Sequence, residues 1–166
     1  MALVSHARAG LSSPRHVGDE RVSPGSRPRL PFSQTNSTKT GIDIQKVNLE
    51  WKGELRFEGI ADEARTAIDG DGQVGPSPVN LLLESVGACT AIDVVDILQK
   101  GRQEIRAMSV EVGAERRDEV PRAVTALFLR FRIEGDVAKA RAQRAVDLSL
   151  EKYCSVFHSL RMDVSV

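Results

Sequence analysis

The stretch from Ser77 to Gly101 constrains the fold most, because it predicts one long helix that is apolar on nearly every side. Ser77 is a favourable N-cap, Pro78 suits the first helical position, and Lys100 before Gly101 provides a basic last turn and a stop signal. At 1.5 Å per residue this helix spans about 34 Å. A helix that is apolar on every side is buried on every side, so we expect a sheet to cover one face and a partner subunit another. The apolar positions are Val79, Leu81, Leu82, Leu83, Val86, Ala88, Ala91, Ile92, Val94, Val95, Ile97 and Leu98.

The flanking segments predict antiparallel strands and a second helix. Apolar and polar residues alternate before and after the long helix, which is typical of half-buried strands, and Gly- and Asp-rich turns separate them. This order predicts an α+β fold, with antiparallel sheets packed around two long central helices. The predicted strands lie at 42–51, 55–58, 66–68, 108–114 and 127–133, the second helix runs from 135 to about 160, and a last strand begins at 163–166.

Residues 1–40 differ in composition from the rest and predict a disordered tail. Ser and Arg dominate there, between four helix-breaking prolines, Pro14, Pro24, Pro28 and Pro31. An Arg- and Ser-rich segment poor in acids is also typical of organelle transit peptides, but those are amphipathic helices, which the prolines disfavour. We therefore divide the chain into a disordered N-terminal tail at 1–40 and one folded domain at 41–166.

Charge and cysteine content narrow the classes of partner. Lys plus Arg and Asp plus Glu both total 23, so the sequence has no basic footprint for nucleic acid. The longest apolar candidate for a membrane span is interrupted by Glu84, Asp93 and Asp96. Two cysteines are too few for a secreted disulfide scaffold. We therefore expect a cytoplasmic protein that binds neither nucleic acid nor membrane.

The two cysteines, Cys89 and Cys154, are 65 residues apart, and each lies in a stretch with helical periodicity. Thiols on two helices that bury apolar faces can meet in the core as a redox pair. Asp93 lies one helical turn after Cys89, and a nearby carboxylate disfavours the reactive thiolate. A reactive Cys89 therefore requires a cation from elsewhere in the fold. The candidates are Arg56, Arg65, Arg116 and Arg117.

Two other roles fit the same thiols. Buried cysteines are often small hydrophobic residues without chemistry. Alternatively, Cys89 with Asp93 and Cys154 with His158 form two i, i+4 pairs, and facing helices would offer these four ligands to a zinc ion. The residues by themselves therefore leave a redox pair, inert cysteines and a zinc site open.

Several motifs of this chain resemble the OsmC/Ohr family, the osmotically inducible and organic hydroperoxide resistance proteins. The motifs are PSPVNLLL at 76–83, GACTAIDVV at 87–95, LQKGRQ at 98–103, ERRDEVPR at 115–122, RAVDLS at 144–149 and EKYCSV at 151–156. The resemblance covers about residues 42–166. It is closest to the OsmC-like branch that lacks a glutamate at the start of the long helix, where this chain has Val79. It implies a swapped, intertwined homodimer with two long central helices.

The resemblance also implies a thiol-dependent peroxidase of oxidative stress defence that uses no cofactor and no metal. In that chemistry Cys89 attacks an organic or hydrogen peroxide and becomes a sulfenic acid, and Cys154 condenses with it to a disulfide. An external dithiol, which in some members is a lipoylated protein, then reduces the disulfide. The activating arginine of the family comes from the N-terminal strands, and we assign it to Arg65. The alternative is a non-catalytic or ligand-binding stress protein with structural cysteines, for which Val79 in place of the family glutamate is the supporting feature.

Overall fold

The computed structural model describes residues 2–6 and 45–160 of the protein. All strand pairs within these residues are antiparallel, which confirms the α+β fold class. The strands are β1 (Ala2–His6), β2 (Asn48–Gly53), β3 (Arg56–Ala61), β4 (Ala64–Asp69), β5 (Glu104–Arg116) and β6 (Val124–Asp136). The helical segments are α1 (Pro78–Lys100), α2 (Lys139–Leu148), a π-helical turn (Ser149–Tyr153) and α3 (Ser155–His158).

The larger sheet has the strand order β1–β6–β5 and carries most of the core. β5 and β6 form a long hairpin in which Val112 lies opposite Leu129 and Val110 opposite Phe131. The middle of α1 packs against β5 so closely that a Cβ added to Gly87 would lie 2.6 Å from Cγ2 of Val112. Any larger residue at this position would force Val112 or the helix to shift. The core cluster consists of Val86, Val94, Leu98, Leu127, Leu129, Phe131, Ile133, Ala142, Ala145, Val146 and Leu150.

The smaller sheet has the order β2–β3–β4, and its strands contact chiefly one another. Its first hairpin turns at Gly53, whose φ of +102° is favourable only for glycine, and continues through Glu54. Trp51 lies opposite Phe57, so the two side chains share one face of the sheet, and Leu49 lies on that face as well. All three side chains remain exposed. One face of the smaller sheet is therefore apolar, and the described part of the chain leaves it exposed.

The predicted boundaries of α1 are confirmed. Ser77 Oγ accepts a hydrogen bond from the Asn80 backbone N–H at 3.2 Å, and the Gly101 N–H donates to the Ile97 carbonyl at 2.9 Å. On the side away from the core, Ile92 is 68 % exposed. Residues 45–160 thus bury only one face of a helix that is apolar nearly all round. The buried face consists of Val86, Gly87, Thr90, Val94 and Leu98.

The second helix differs from the prediction of one continuous helix from 135 to about 160. α2 ends at Leu148, and the chain then widens into the π-helical turn, where the Cys154 N–H donates to the Ser149 carbonyl at 2.8 Å. Cys154 itself is extended, with φ −66° and ψ 95°, and α3 begins only after it. The continuous-helix prediction is wrong because a hydrogen bond across five residues replaces the usual α-helical one. Cys154 consequently lies at a bend of the backbone and not on a helix face.

The prediction of a disordered tail is wrong for Ala2–His6, which form β1. This strand pairs with β6 from Ala2 opposite Ile133 to His6 opposite Leu129. Pairing with a distant strand satisfies backbone N–H and C=O groups, and the composition of the segment does not reveal it. Residues 7–40 of the predicted tail and the predicted strand at 163–166 lie outside the described residues. Within the described ranges, no helix is long and apolar enough to cross a membrane.

Candidate active site: two thiols and a carboxylate

The structure brings Cys89, Cys154 and Asp93 together. The two Sγ atoms and a carboxylate oxygen of Asp93 all lie within 4.8 Å of one another. Both cysteines are free thiols. α1 contributes Cys89 and Asp93, which are one turn apart and therefore share a helix face. The bend after the π-helical turn contributes Cys154. The site forms where α1 meets the C-terminal helical segment.

Cys154 is fully buried, and its sulfur lies within reach of two donors. The backbone N–H of Phe157 donates to Cys154 Sγ at 3.4 Å. The Thr90 hydroxyl has two acceptors, the Val86 carbonyl oxygen at 2.8 Å and Cys154 Sγ at 3.4 Å. Burial raises the pKa of the Cys154 thiol above its usual value, the neighbouring Cys89 raises it further, and the two donors oppose the shift. At neutral pH Cys154 is therefore a thiol, and its conversion to a thiolate requires a proton acceptor.

Cys89 differs from Cys154 in accessibility, because it is only partly buried. Cys89 is therefore the more exposed of the two cysteines, whereas Cys154 is fully buried where the π-helical turn, α3 and α1 meet. The two thiols thus differ in their exposure to solvent although their sulfurs lie within 4.8 Å of each other.

Asp93 lies beside both thiols and also lines a groove at the surface. The Ser149 hydroxyl donates to Asp93 Oδ2 at 2.7 Å, and Ser149 itself is fully buried. The carboxylate also lines a groove of about 210 Å³. Asp93 is therefore close to both sulfurs and also lines an opening to solvent. The other residues lining the groove are Asp96, Ile97, Lys100 and Tyr153.

The arginines proposed to activate Cys89 have other partners within the chain. Nη1 of Arg65 lies 3.0 Å from Glu58 Oε2, and its side chain is 61 % exposed. Arg56 pairs with Glu54 at 3.0 Å. The strands that carry these two arginines contact chiefly one another and not α1. The assignment of Arg65 to Cys89 therefore stays a prediction.

The four ligands of the hypothetical zinc site are not all assembled. Among the described residues, Cys89, Asp93 and Cys154 form the group that His158 was expected to complete. The His158 ring is not in this group and packs edge-on against Phe157, with 5.7 Å between ring centroids. A structural zinc site needs four protein ligands. The zinc hypothesis is therefore wrong in its fourth ligand.

Sequence reasoning did not assign roles to Thr90 and Ser149, which complete the site. Both are fully buried polar residues. Ser149 lies within the predicted second helix and is buried in the structure, and a polar residue at a buried position needs a hydrogen-bond partner. That requirement indicates a polar contact for Ser149, but it does not identify Asp93, 56 residues away, as the partner.

The fold and the paired thiols define an α+β protein of the OsmC type. The sequence profile described as OsmC-like protein matches residues 69–166, and the chain belongs to this family. Protein YhfA of Escherichia coli (strain K12) is 43 % identical over 124 residues, which make up 73 % of this chain and 92 % of YhfA.

Solved structures agree with this assignment. A hypothetical protein of Aquifex aeolicus VF5 superposes with a TM-score of 0.65 at 29 % identity, over 75 % of this chain and 95 % of that protein. The organic hydroperoxide resistance protein OhrB of Bacillus subtilis shares the fold, with a TM-score of 0.52 at 20 % identity over 75 % of this chain and 95 % of OhrB. The resemblance found in the sequence motifs is thereby confirmed at the level of family and fold.

Proposed function

We propose that this protein is a thiol-dependent peroxidase that reduces organic or hydrogen peroxides in oxidative stress defence. The observation that carries the proposal is the approach of two sulfurs, 65 residues apart in sequence, to within 4.8 Å of each other. A disulfide requires a sulfur separation of about 2 Å, so the two sulfurs have to move toward each other before the bond forms. The difference in burial supports separate roles, with Cys89 as the attacking thiol and Cys154 as the resolving thiol.

The reaction has two steps on the protein. In the first, the Cys89 thiolate attacks one oxygen of the peroxide, the O–O bond breaks, and the leaving oxygen takes a proton and departs as alcohol or water. Cys89 becomes a sulfenic acid. In the second, Cys154 attacks the Cys89 sulfur, a disulfide forms and water leaves. The peroxide gains two electrons, and the two thiols together lose them.

A second turnover requires reduction of the disulfide. Because Cys89 is the more exposed of the two cysteines, we propose that an external dithiol attacks there and releases Cys154 first. A lipoylated protein is one carrier of such a dithiol. The cytoplasm suits this cycle, because thiols persist there in the reduced state.

We also propose a homodimer, in which a second copy covers the apolar surfaces left open by one chain. Two open grooves of about 520 and 480 Å³ run between α1 and β5, and both are lined by Ala91 and Val110. The apolar face of the smaller sheet, with Trp51, is also uncovered. Placing that sheet on α1 of the other copy buries both surfaces. We retain Arg65, on the edge strand β4, as the proposed cation for Cys89 of the other subunit.

The test is a titration of the reduced, metal-free protein with one equivalent of cumene hydroperoxide, followed by thiol counting and intact mass. We expect loss of two thiols per chain within seconds and a mass decrease of two hydrogens. Cys89→Ser should abolish the reaction. Cys154→Ser should consume one equivalent and accumulate a sulfenic acid that dimedone traps.

Two results would contradict the proposal. Turnover retained in Cys89→Ser excludes Cys89 as the peroxide-reactive thiol. Two thiols that survive minutes of exposure in the unaltered protein identify the cysteines as structural. The second result would favour the alternative function, a non-catalytic or ligand-binding stress protein, for which the apolar grooves beside α1 are then the place to look for a ligand.

A further inference from the structure

Disulfide formation requires two proton transfers, one from the Cys154 thiol and one to the oxygen that leaves Cys89. Cys154 must lose its thiol proton before its sulfur can attack, yet its sulfur is fully buried. The hydroxide that leaves the Cys89 sulfenic acid must in turn gain a proton to depart as water. Burial raises the pKa of the Cys154 thiol, so solvent at neutral pH does not ionise it readily. A proton acceptor close to both sulfurs would serve both requirements.

We propose that Asp93 is the proton-transfer group of disulfide formation, an inference that rests on the proposed function. Asp93 accepts the thiol proton of Cys154, and the electron pair of the Cys154 sulfur then forms the bond to the Cys89 sulfur. The S–O bond of the sulfenic acid breaks, its electron pair leaves with the oxygen, and Asp93 returns the proton to that oxygen. One water is released, the carboxylate is restored, and no further reactant is consumed.

Three features of the structure support this role. The carboxylate lies within 4.8 Å of both sulfurs, a distance that one water molecule or a side-chain rotation bridges. The buried Ser149 hydroxyl donates to Asp93 Oδ2 at 2.7 Å and so fixes the direction of the carboxylate. Asp93 also lines the 210 Å³ groove, through which it exchanges protons with solvent.

Asp93 is the acid whose position meets all three requirements among the described residues around the site. Asp96 lines the same groove but is engaged by Lys100 Nζ at 2.6 Å on the exposed side of α1. His158 on α3 is outside the group formed by the sulfurs and the carboxylate. The titratable groups that face Asp93 are Cys89, Asp96 and Lys100 on α1, and Tyr153 and Cys154 from the segment after α2.

Asp93→Asn tests the proposal, because asparagine keeps the shape and can still accept the Ser149 hydrogen bond. After one equivalent of cumene hydroperoxide, we expect sulfenic acid to form at least as fast as in the unaltered protein, because a negative charge beside Cys89 has been removed. Conversion of the sulfenic acid to the disulfide should be slower by about 10²-fold, the typical contribution of general acid–base catalysis. Asp96→Asn removes a similar charge from the same groove and should change neither rate.

The pH profile separates proton transfer from a structural effect. Without an internal acceptor, Cys154 ionises only by reaction with solvent, so the rate in Asp93→Asn should rise about tenfold per pH unit below the thiol pKa. A merely distorted site would lower the rate by the same factor at every pH. An unchanged rate and profile for disulfide formation in a folded Asp93→Asn protein would overturn the proposal.

A second measurement distinguishes this inference from the proposed peroxidase function. Cys89 is first converted to a mixed disulfide with thionitrobenzoate, and the coloured thiolate released when Cys154 displaces it is then followed. This reaction needs the same loss of the Cys154 proton but no peroxide. A slow release in Asp93→Asn and a fast release in Asp96→Asn would support Asp93 even if peroxide failed to oxidise the protein. Equal rates in both variants would refute the role of Asp93 and leave the peroxidase proposal standing.

Discussion

Oxidation of the two thiols should stabilise the fold by an amount that the structure allows us to calculate. A disulfide between Cys89 and Cys154 closes a loop of 65 residues in the unfolded chain. Loop-closure entropy for that length raises the free energy of unfolding by about 4 kcal/mol. In the reduced protein the two sulfurs lie within 4.8 Å of each other, so Cys154 Sγ must move to form the disulfide. This movement weakens the hydrogen bonds that Thr90 and Phe157 donate to Cys154 Sγ. Each is worth about 0.5–1 kcal/mol, so a net gain of about 2–3 kcal/mol remains.

The assay is thermal unfolding, followed by circular dichroism, of the reduced and the peroxide-treated protein. For a chain of this size, a gain of about 2–3 kcal/mol corresponds to a rise in Tm of about 6–10 °C. Dithiothreitol should reverse the rise. Cys154→Ser treated with the same peroxide provides the control and should show no increase, because it cannot close the loop.

One result would refute the reasoning. If the mass shows that two hydrogens are lost and the Tm stays constant or falls, the sulfurs meet only at the expense of native packing. Strain between α1 and the π-helical turn would then exceed the entropy gained by closing the loop. The oxidised form would in that case be less stable than the reduced one, and the proximity of the thiols could not be taken as preparation for a disulfide.

Three further predictions concern stability, packing and the activating cation. The pKa of the buried Asp69 is lowered by backbone N–H groups of the following loop, above all that of Val74, and by the nearby guanidinium of Arg56. The ionised Asp69 therefore stabilises the fold above about pH 4, and this stabilisation is lost as the pH falls through the pKa of Asp69 in the folded protein. Asp69→Asn should lower the Tm at pH 7. In urea unfolding at a series of pH values, its free energy of unfolding should fall less with acidification than that of the unaltered protein. An equal fall in both proteins would contradict the prediction. Gly87→Val should lower the free energy of unfolding by about 1–3 kcal/mol through overpacking against β5, measured by urea denaturation, and wild-type stability would mean that the sheet yields. Arg65→Ala should slow peroxide consumption at least tenfold. Arg130→Ala, the control, also breaks an exposed ion pair of 3.0 Å and should leave the rate unchanged. Equal rates in the two variants would mean that another residue provides the cation.

The candidate site was predictable in part. Both cysteines lie on segments whose periodicity requires burial, so their encounter was a reasonable expectation from the sequence. The hydrogen bond between Ser149 and Asp93 was not, since it joins residues 56 positions apart and depends on the exact turn at which α2 ends. Arg65 illustrates a further limit, because its nearest partner, Glu58, belongs to the neighbouring strand and the strand pairing has to be known before the contact can be seen.

The sequence by itself determined α1 and the alternating faces of β6. These features depend on capping groups and side-chain periodicities that act within a few residues, so the local chain contains all the information they need. Only the tertiary structure decided the break after α2 and the pairing of β1 with β6. In both cases backbone hydrogen bonds compete: at Cys154 the carbonyl five residues earlier replaces the one four residues earlier, and at Ala2–His6 a strand far along the chain replaces water. The turn after α2 packs against α1 and brings Cys154 to Cys89, a contact between distant residues that local sequence patterns do not specify.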